Sequence, residues 1–267
     1  IGQQMAGPLD RADPGFVSWN SDSSRLYVTR LKQLSPGEED IEKYRNTLLV
    51  AWDLKSEPVP ILGSTARRGP SFLPDETPAL VTWPGAPMVA AVSYNGVQNE
   101  LALWLAPASK VDDANVTWKP FVARADDVTA VDAVGDMIYL LSHKNAPTFQ
   151  VLSVEAGQPL AAAKVLIAAQ KDRVIDSIHA ASDALYALAR RGAYSLLLRV
   201  SSGSARVEEI ALPFKGHISD AFADPRQPGI TLDLESFVVP PTTLISPTAA
   251  RAATQALRVS GVNVSMQ

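Results

Sequence analysis

An all-β fold is what this sequence predicts, on three observations. Five times along the chain, a turn rich in Asp, Gly, Ser and Pro leads into an alternating apolar strand, and a second strand soon follows. The clearest copy is Trp19-Asn20-Ser21-Asp22-Ser23-Ser24-Arg25-Leu26-Tyr27-Val28, followed by Thr47-Leu48-Leu49-Val50-Ala51-Trp52-Asp53-Leu54. Twenty prolines and fifteen glycines, spread over 267 residues, suit many tight connections and few long helices. A repeat of roughly 45–50 residues made only of short strands reads as one blade of a β-propeller. About five four-stranded blades are expected, over residues 1–246.

In the first repeat Leu26-Tyr27-Val28 has the β-branched and aromatic content of a strand. Leu34 to Arg45, with Ser35-Pro36-Gly37 and Glu38-Glu39-Asp40, reads as a long polar insertion. Leu48 to Leu54 is the next strand, and Val59-Pro60-Ile61-Leu62 the outer edge, where proline is tolerated. The second repeat reads Pro78 to Trp83, Met88 to Tyr94, Leu101 to Leu105 and Trp118 to Val122. Asn95-Gly96 is a strong turn signal, here with a loop to Leu101 longer than a two-residue hairpin. The third runs Val128 to Val134, Met137 to Ser142, Phe149 to Val154 and Lys164 to Ile167. The fourth is Val174 to Ala180, Ala184 to Ala189, Ser195 to Val200 and Val207 to Ile210. The fifth is Ile218 to Ala223, Ile230 to Ser236 and Thr242 to Ile245. Leu160-Ala161-Ala162-Ala163-Lys164 has the alanine content of a short helix, while the turn spacing around it favours strands. Pro247 to Thr254 is one helical turn or a linker.

Composition sets limits. With 46% apolar residues the chain can fill a core. Its 28 acidic and 24 basic side chains form no basic block, which argues against nucleic acid as a partner. No run reaches the ~18 apolar residues of a membrane span. Cysteine is absent, so disulfides and thiolate metal sites are excluded, and cytoplasm and periplasm both remain open. The start, Ile1-Gly2-Gln3-Gln4-Met5, lacks the basic and apolar regions of a signal peptide and reads as part of something longer.

Four stretches carry a resemblance. Asp13 to Trp19 with Asp22 is similar to an apolar-Ser-Trp strand followed by a Pro-Asp-Gly turn, although Ser21-Asp22-Ser23 lacks both Pro and Gly. Arg30 to Leu34, Ser35-Pro36-Gly37 and Lys43 to Thr47 are similar to a bacterial insertion that precedes a strand and a Val-Pro-Ile-Leu-Gly ending, here Val59 to Gly63. Asn99 to Trp104 resembles an Asn-x-Leu-Trp element. Pro228-Gly229-Ile230, Leu234 to Phe237 and Pro240-Pro241 look like a closing blade. Together, from Pro14 to Ile245, the chain resembles the propeller of the prolyl oligopeptidase family of serine peptidases.

The resemblance implies a seven-bladed propeller over an α/β-hydrolase domain, with further blades before Ile1 and the hydrolase after Gln267. Residues 247–267 would then be a linker toward that domain. It also implies that the Tyr94–Gln98 region faces the hydrolase and approaches a bound peptide. Some relatives carry an arginine there. This chain offers Tyr94, Asn95 and Gln98, which can hydrogen-bond but bring no charge.

No Gly-x-Ser-x-Gly nucleophile elbow occurs in the sequence. Ser202-Gly203-Ser204-Ala205 lacks its spacing and reads as a hairpin connection. His143, His179 and His217 are too far apart for a helix-based zinc pattern and read as strand-end or turn residues. Asp112-Asp113, Asp126-Asp127 and Asp132 with Asp136 invite a calcium or glycosidase reading but lack EF-hand spacing, and read as solvated turn acids. Arg67-Arg68 and Arg190-Arg191 fall in predicted turns, as surface charge or as bidentate donors to a partner's carboxylates. Trp19, Trp52, Trp83, Trp104 and Trp118 lie in or beside strands and read as core. No metal or cofactor is called for.

The expected function is a gating and docking domain of such a peptidase, partnered by the parent's hydrolase domain and by short peptides, and inactive alone. The alternatives are a free-standing propeller that binds a partner on one face, and a small propeller catalysing with channel carboxylates. Five repeats could close as a ring or remain an arc.

Overall fold

The computed structural model describes residues 9–246 apart from 68 and 114. The tail read as a turn or linker, Pro247 to Thr254, lies outside the described residues. Among the described residues, five antiparallel sheets follow one another along the chain. The first joins β1 (Ala12–Trp19), β2 (Leu26–Arg30), β3 (Leu48–Trp52) and β4 (Val59–Gly63). The second joins β5 (Glu76–Thr82), β6 (Met88–Asn95), β7 (Gln98–Pro107) and β8 (Lys119–Val122). The third comprises β9 (Val128–Val134), β10 (Met137–Ser142), β11 (Gln150–Glu155) and β12 (Lys164–Ile167). The fourth comprises β13 (Val174–Ala180), β14 (Ala184–Arg191), β15 (Tyr194–Ser201) and β16 (Val207–Ile210). The fifth has three strands, β17 (His217–Phe222), β18 (Thr231–Glu235) and β19 (Thr242–Ile245). Each sheet pairs its strands in sequence order, the meander of a propeller blade.

Middle strands such as β6, β14 and β15 are buried on both faces, which is why they read as near-continuous apolar runs, whereas β7 and β18 alternate. Outer strands are short and carry polar residues or proline, as in β16 (Val-Glu-Glu-Ile) and at Pro60 and Pro120.

The chain divides into two compact units, Ile1–Thr129 with Val154–Ala162, and Ala130–Ser153 with Ala163–Gln267. In the first, Tyr27, Leu49, Leu62, Leu80 and Val89 fill the space between the first two blades. Side chains stitch that seam to backbone carbonyls. Ser18 Oγ donates to Leu80 O at 2.8 Å, Thr29 Oγ1 to Pro78 O at 2.7 Å, and Thr82 Oγ1 to Trp19 O at 2.8 Å. In the second unit, one core lies between the third and fourth blades, around Leu141, Ile175, Ala187 and Leu198. Another lies between the fourth and fifth, around Tyr186, Leu197, Ile218 and Leu232. Asp132 on β9 accepts the Ala180 amide of β13 at 2.6 Å, and Ser195 Oγ accepts the Ile218 amide at 3.0 Å.

The structure departs from the sequence reading in several places. The connection after Asn95 is a two-residue hairpin, Gly96-Val97, with Asn95 opposite Gln98. Polar Gln98, Asn99 and Glu100 look like loop, yet they extend β7 past the core, and Gly96 at φ +55° makes the tight turn. The alanine stretch forms one 3₁₀ turn, Leu160–Ala162, before β12. The polar insertion holds another, Asp40–Tyr44. Arg190 and Arg191 end β14 rather than occupying a turn.

Candidate functional site

The β6–β7 hairpin carries Tyr94, Asn95 and Gln98. Tyr94 is half-buried because its ring packs against Phe16 of β1, with centroids 4.6 Å apart. Burial pushes its phenol above the ordinary range, so it remains a neutral donor and acceptor. Asn95 Nδ2 donates to Gln98 Oε1 at 3.4 Å, clipping the two ends of the turn together. Val97 stands fully exposed at the tip. The hairpin therefore offers amide and phenol groups on a stiff base and no charge.

Arg124 fastens that base. Its NH2 donates to Glu76 Oε1 and to Ser93 Oγ, each at 2.7 Å, and its NH1 to Glu100 O at 2.7 Å. Three strands of the blade, β5, β6 and β7, are thus held by one guanidinium. The other Glu76 oxygen accepts the Leu73 amide at 2.8 Å. Sequence reasoning missed this cluster, since the partners lie 24 to 48 residues from Arg124.

A serine and a histidine also meet, at Ser177 and His179 on β13. Ser177 Oγ lies 2.9 Å from His179 Nε2. Burial holds the imidazole below its ordinary value of 6.5, against an opposing pull from Asp220. The pairing follows from strand period, which points residues two apart the same way. The unfolded chain therefore takes up a proton here before the folded one does. The stability held by neutral His179 is complete above about pH 6.5 and is lost as pH falls below it. Urea midpoints measured from pH 7.5 to pH 5 are expected to fall, and His179→Gln to flatten the fall.

The remaining candidates are dispersed. His143 packs edge-on against Phe149, with centroids 5.4 Å apart, and His217 is exposed opposite Glu235. Among the described residues no group of three or more His, Asp or Glu could hold a metal ion. Asp112 accepts from Tyr27 OH and pairs with Arg25 at 3.3 Å, Asp113 pairs with Lys110 at 3.2 Å, and Asp126 caps the Ala123 amide at 2.9 Å. Asp132 is a seam residue rather than a solvated turn acid. Arg190 Nε is shared between the two oxygens of Asp176, at 3.0 and 2.8 Å, and Arg191 pairs with Asp172 and Glu209, so both are engaged within their own blade. Arg67 is exposed and Arg68 lies outside the described residues. Ser202 and Gly203 form the β15–β16 turn, with Ser204 N bonded to Ser201 O. Trp83 is buried and Trp104 packs on Phe72, whereas Trp19 is 44% exposed on β1, against the expectation of core.

One pocket, of about 420 Å³, opens on the first blade between Arg30, Lys32, Leu48 and Pro60. Its cations are already paired, Arg30 with Asp10 and Lys32 with Glu38 at 2.7 Å.

Residues 88–253 match the family described as prolyl oligopeptidase, N-terminal beta-propeller domain. No curated protein matches the chain. Among solved structures, prolyl oligopeptidase B from Galerina marginata, bound to a 35mer hydrolysis and macrocyclization substrate, is similar with a TM-score of 0.75 at 16% identity. The match covers 91% of this chain and 34% of that one. A prolyl endopeptidase, from work on inter-domain dynamics in catalysis and specificity, gives a TM-score of 0.72 at 16% identity, covering 86% and 33%. Oligopeptidase B from Leishmania major gives 0.66 at 16%, covering 86% and 32%. The chain thus spans about a third of the length of these relatives.

Proposed function

The chain belongs to the prolyl oligopeptidase N-terminal β-propeller family, and on that premise we propose that it is the gating and docking domain of a serine peptidase acting on short peptides. The family match over residues 88–253 carries this reading. The absence of a Gly-x-Ser-x-Gly element from the sequence fits a division of labour in which the nucleophile belongs to a companion hydrolase domain. In this reading the blades occupy residues 1–246, and residues 247–267 lead toward the hydrolase. The propeller screens substrates by size, and the peptide is cut between the two domains.

The β6–β7 hairpin is the part of the propeller that meets the peptide. Tyr94, Asn95 and Gln98 would contact backbone amides through neutral hydrogen bonds, each worth about 0.5–1 kcal/mol net. Asn95→Ala in the parent peptidase is then expected to raise KM about 2- to 5-fold with kcat unchanged, as loss of uniform binding does. Steady-state kinetics on a short proline-containing peptide read the split.

The whole reading is tested by comparing this chain alone with its parent. The isolated 267 residues should leave such peptides intact, and the parent should cleave them while sparing folded proteins. A parent that encodes no Gly-x-Ser-x-Gly hydrolase, or hydrolysis by the chain alone, would overturn it.

A further inference from the structure

We propose that Arg173 is a binding site for a polypeptide carboxylate, at the end of the fourth blade where β13 begins. Arg173 sits in the connection from β12 to β13, bridged to Gln170, and is only 7% exposed. Its Nε is buried with no hydrogen-bond partner among the described residues, a state it shares only with Trp118 Nε1. The carboxylates whose charge reaches it are Asp172 and Glu209, and both are engaged by Arg191. Arg191 Nε lies 3.1 Å from Asp172 and its NH2 3.4 Å from Glu209. Two guanidiniums therefore share two acids that hydrogen-bond only one of them.

A buried guanidinium Nε without an acceptor is costly, so the site gains from a ligand that supplies one. The chemistry of that ligand follows from shape and charge. The planar fork of arginine matches a carboxylate through two parallel bonds. Asp172 and Glu209 lie beside Arg173, so a singly charged carboxylate meets less repulsion there than a phosphate dianion. The same end of this unit also presents apolar surface. The turn from β18 to β19 holds Phe237 and Val238 almost fully exposed, and Ser195 N bonded to Gly216 O joins the two blades there. A carboxylate carried on an apolar peptide suits that combination. The site is independent of the gating role and stands whether or not a hydrolase domain is docked.

The test uses the 267-residue chain with four probes at matched ionic strength. These are a blocked tetrapeptide ending in a free carboxylate, the same peptide amidated, an amidated version carrying one aspartate, and inorganic phosphate. The free acid is expected to raise the melting temperature by about 3–5 °C for each tenfold excess over its Kd, and the amide to leave it unchanged. A response to the aspartyl amide instead assigns the site to a side-chain carboxylate of a partner, which equally supports the proposal. Arg173→Met should abolish the response yet melt no lower than the native chain, because it removes an unpaired buried charge. If that variant does not fold, Arg173→Lys keeps the charge, loses the fork, and should weaken binding at least tenfold by calorimetry. Equal effects of acid and amide, no effect of any carboxylate, a response that both variants retain, or phosphate binding more tightly than carboxylate would each overturn it.

Discussion

Arg199→Ala is expected to destabilise the second unit by about 3–5 kcal/mol, the cost of leaving a buried carboxylate without its partner. The Arg199 side chain, on β15, is 9% exposed and its NH2 lies 3.0 Å from Asp183. It also bonds Ser201 Oγ at 2.6 Å and lies over the Tyr186 ring. Asp183 is the hub of the joint between the fourth and fifth blades, since its other oxygen accepts the Gly229 amide at 2.8 Å. Gly229 has φ +90°, and a Cβ there would run into Ser246 O, so the approach depends on glycine. Losing Arg199 therefore strands a charge and loosens a seam together. Urea unfolding followed by circular dichroism reads the loss. The paired replacement Arg199→Met with Asp183→Leu should recover only part of it, since it removes both charges at once but leaves the Gly229 amide without its acceptor.

Arg124→Ala should act with similar force on the first unit, at about 3–5 kcal/mol, and it should also reach the proposed peptide site. Glu76 is 8% exposed, and its ion-pair partner at 2.7 Å is Arg124. Ser93, fully buried beside Tyr94, loses its donor as well. The hairpin base would relax, so KM should rise in the parent by more than the Asn95→Ala effect, alongside a lower melting temperature. Arg124→Lys retains one charged contact and should recover part of the stability but little of the alignment. Equal stability of Arg124→Ala and the native chain would mean that the three strands are held by packing alone.

Much of the blade pattern was legible because strand period and burial coincide. Leu48 to Trp52, Ile138 to Leu141 and Leu185 to Leu188 are apolar where a strand is enclosed between neighbours, and turn residues bracket them. Gln98 to Glu100 were not legible as strand, because a hairpin that projects past the core needs no apolar face. Arg190 and Arg191 misled for the same reason, since charges at a strand's end resemble a turn. The buried networks were hidden differently. Arg124 with Glu76, and Asp183 with Gly229, are separated by 48 and 46 residues, and no local rule distinguishes a buried charge from a solvated one. Trp19 shows the converse, since an aromatic in a strand resembles a core residue although Val17 and Trp19 of β1 are exposed.

The side-chain stitches between neighbouring sheets carry a consequence for motion. Within each unit, successive sheets are joined by packed apolar side chains and scattered hydroxyl and carboxylate contacts rather than by a shared strand ladder. Deuterium uptake should therefore proceed in steps that each release one whole meander, not residue by residue from a fraying edge. The slowest amides should be those of the middle strands, such as Leu140 and Leu197.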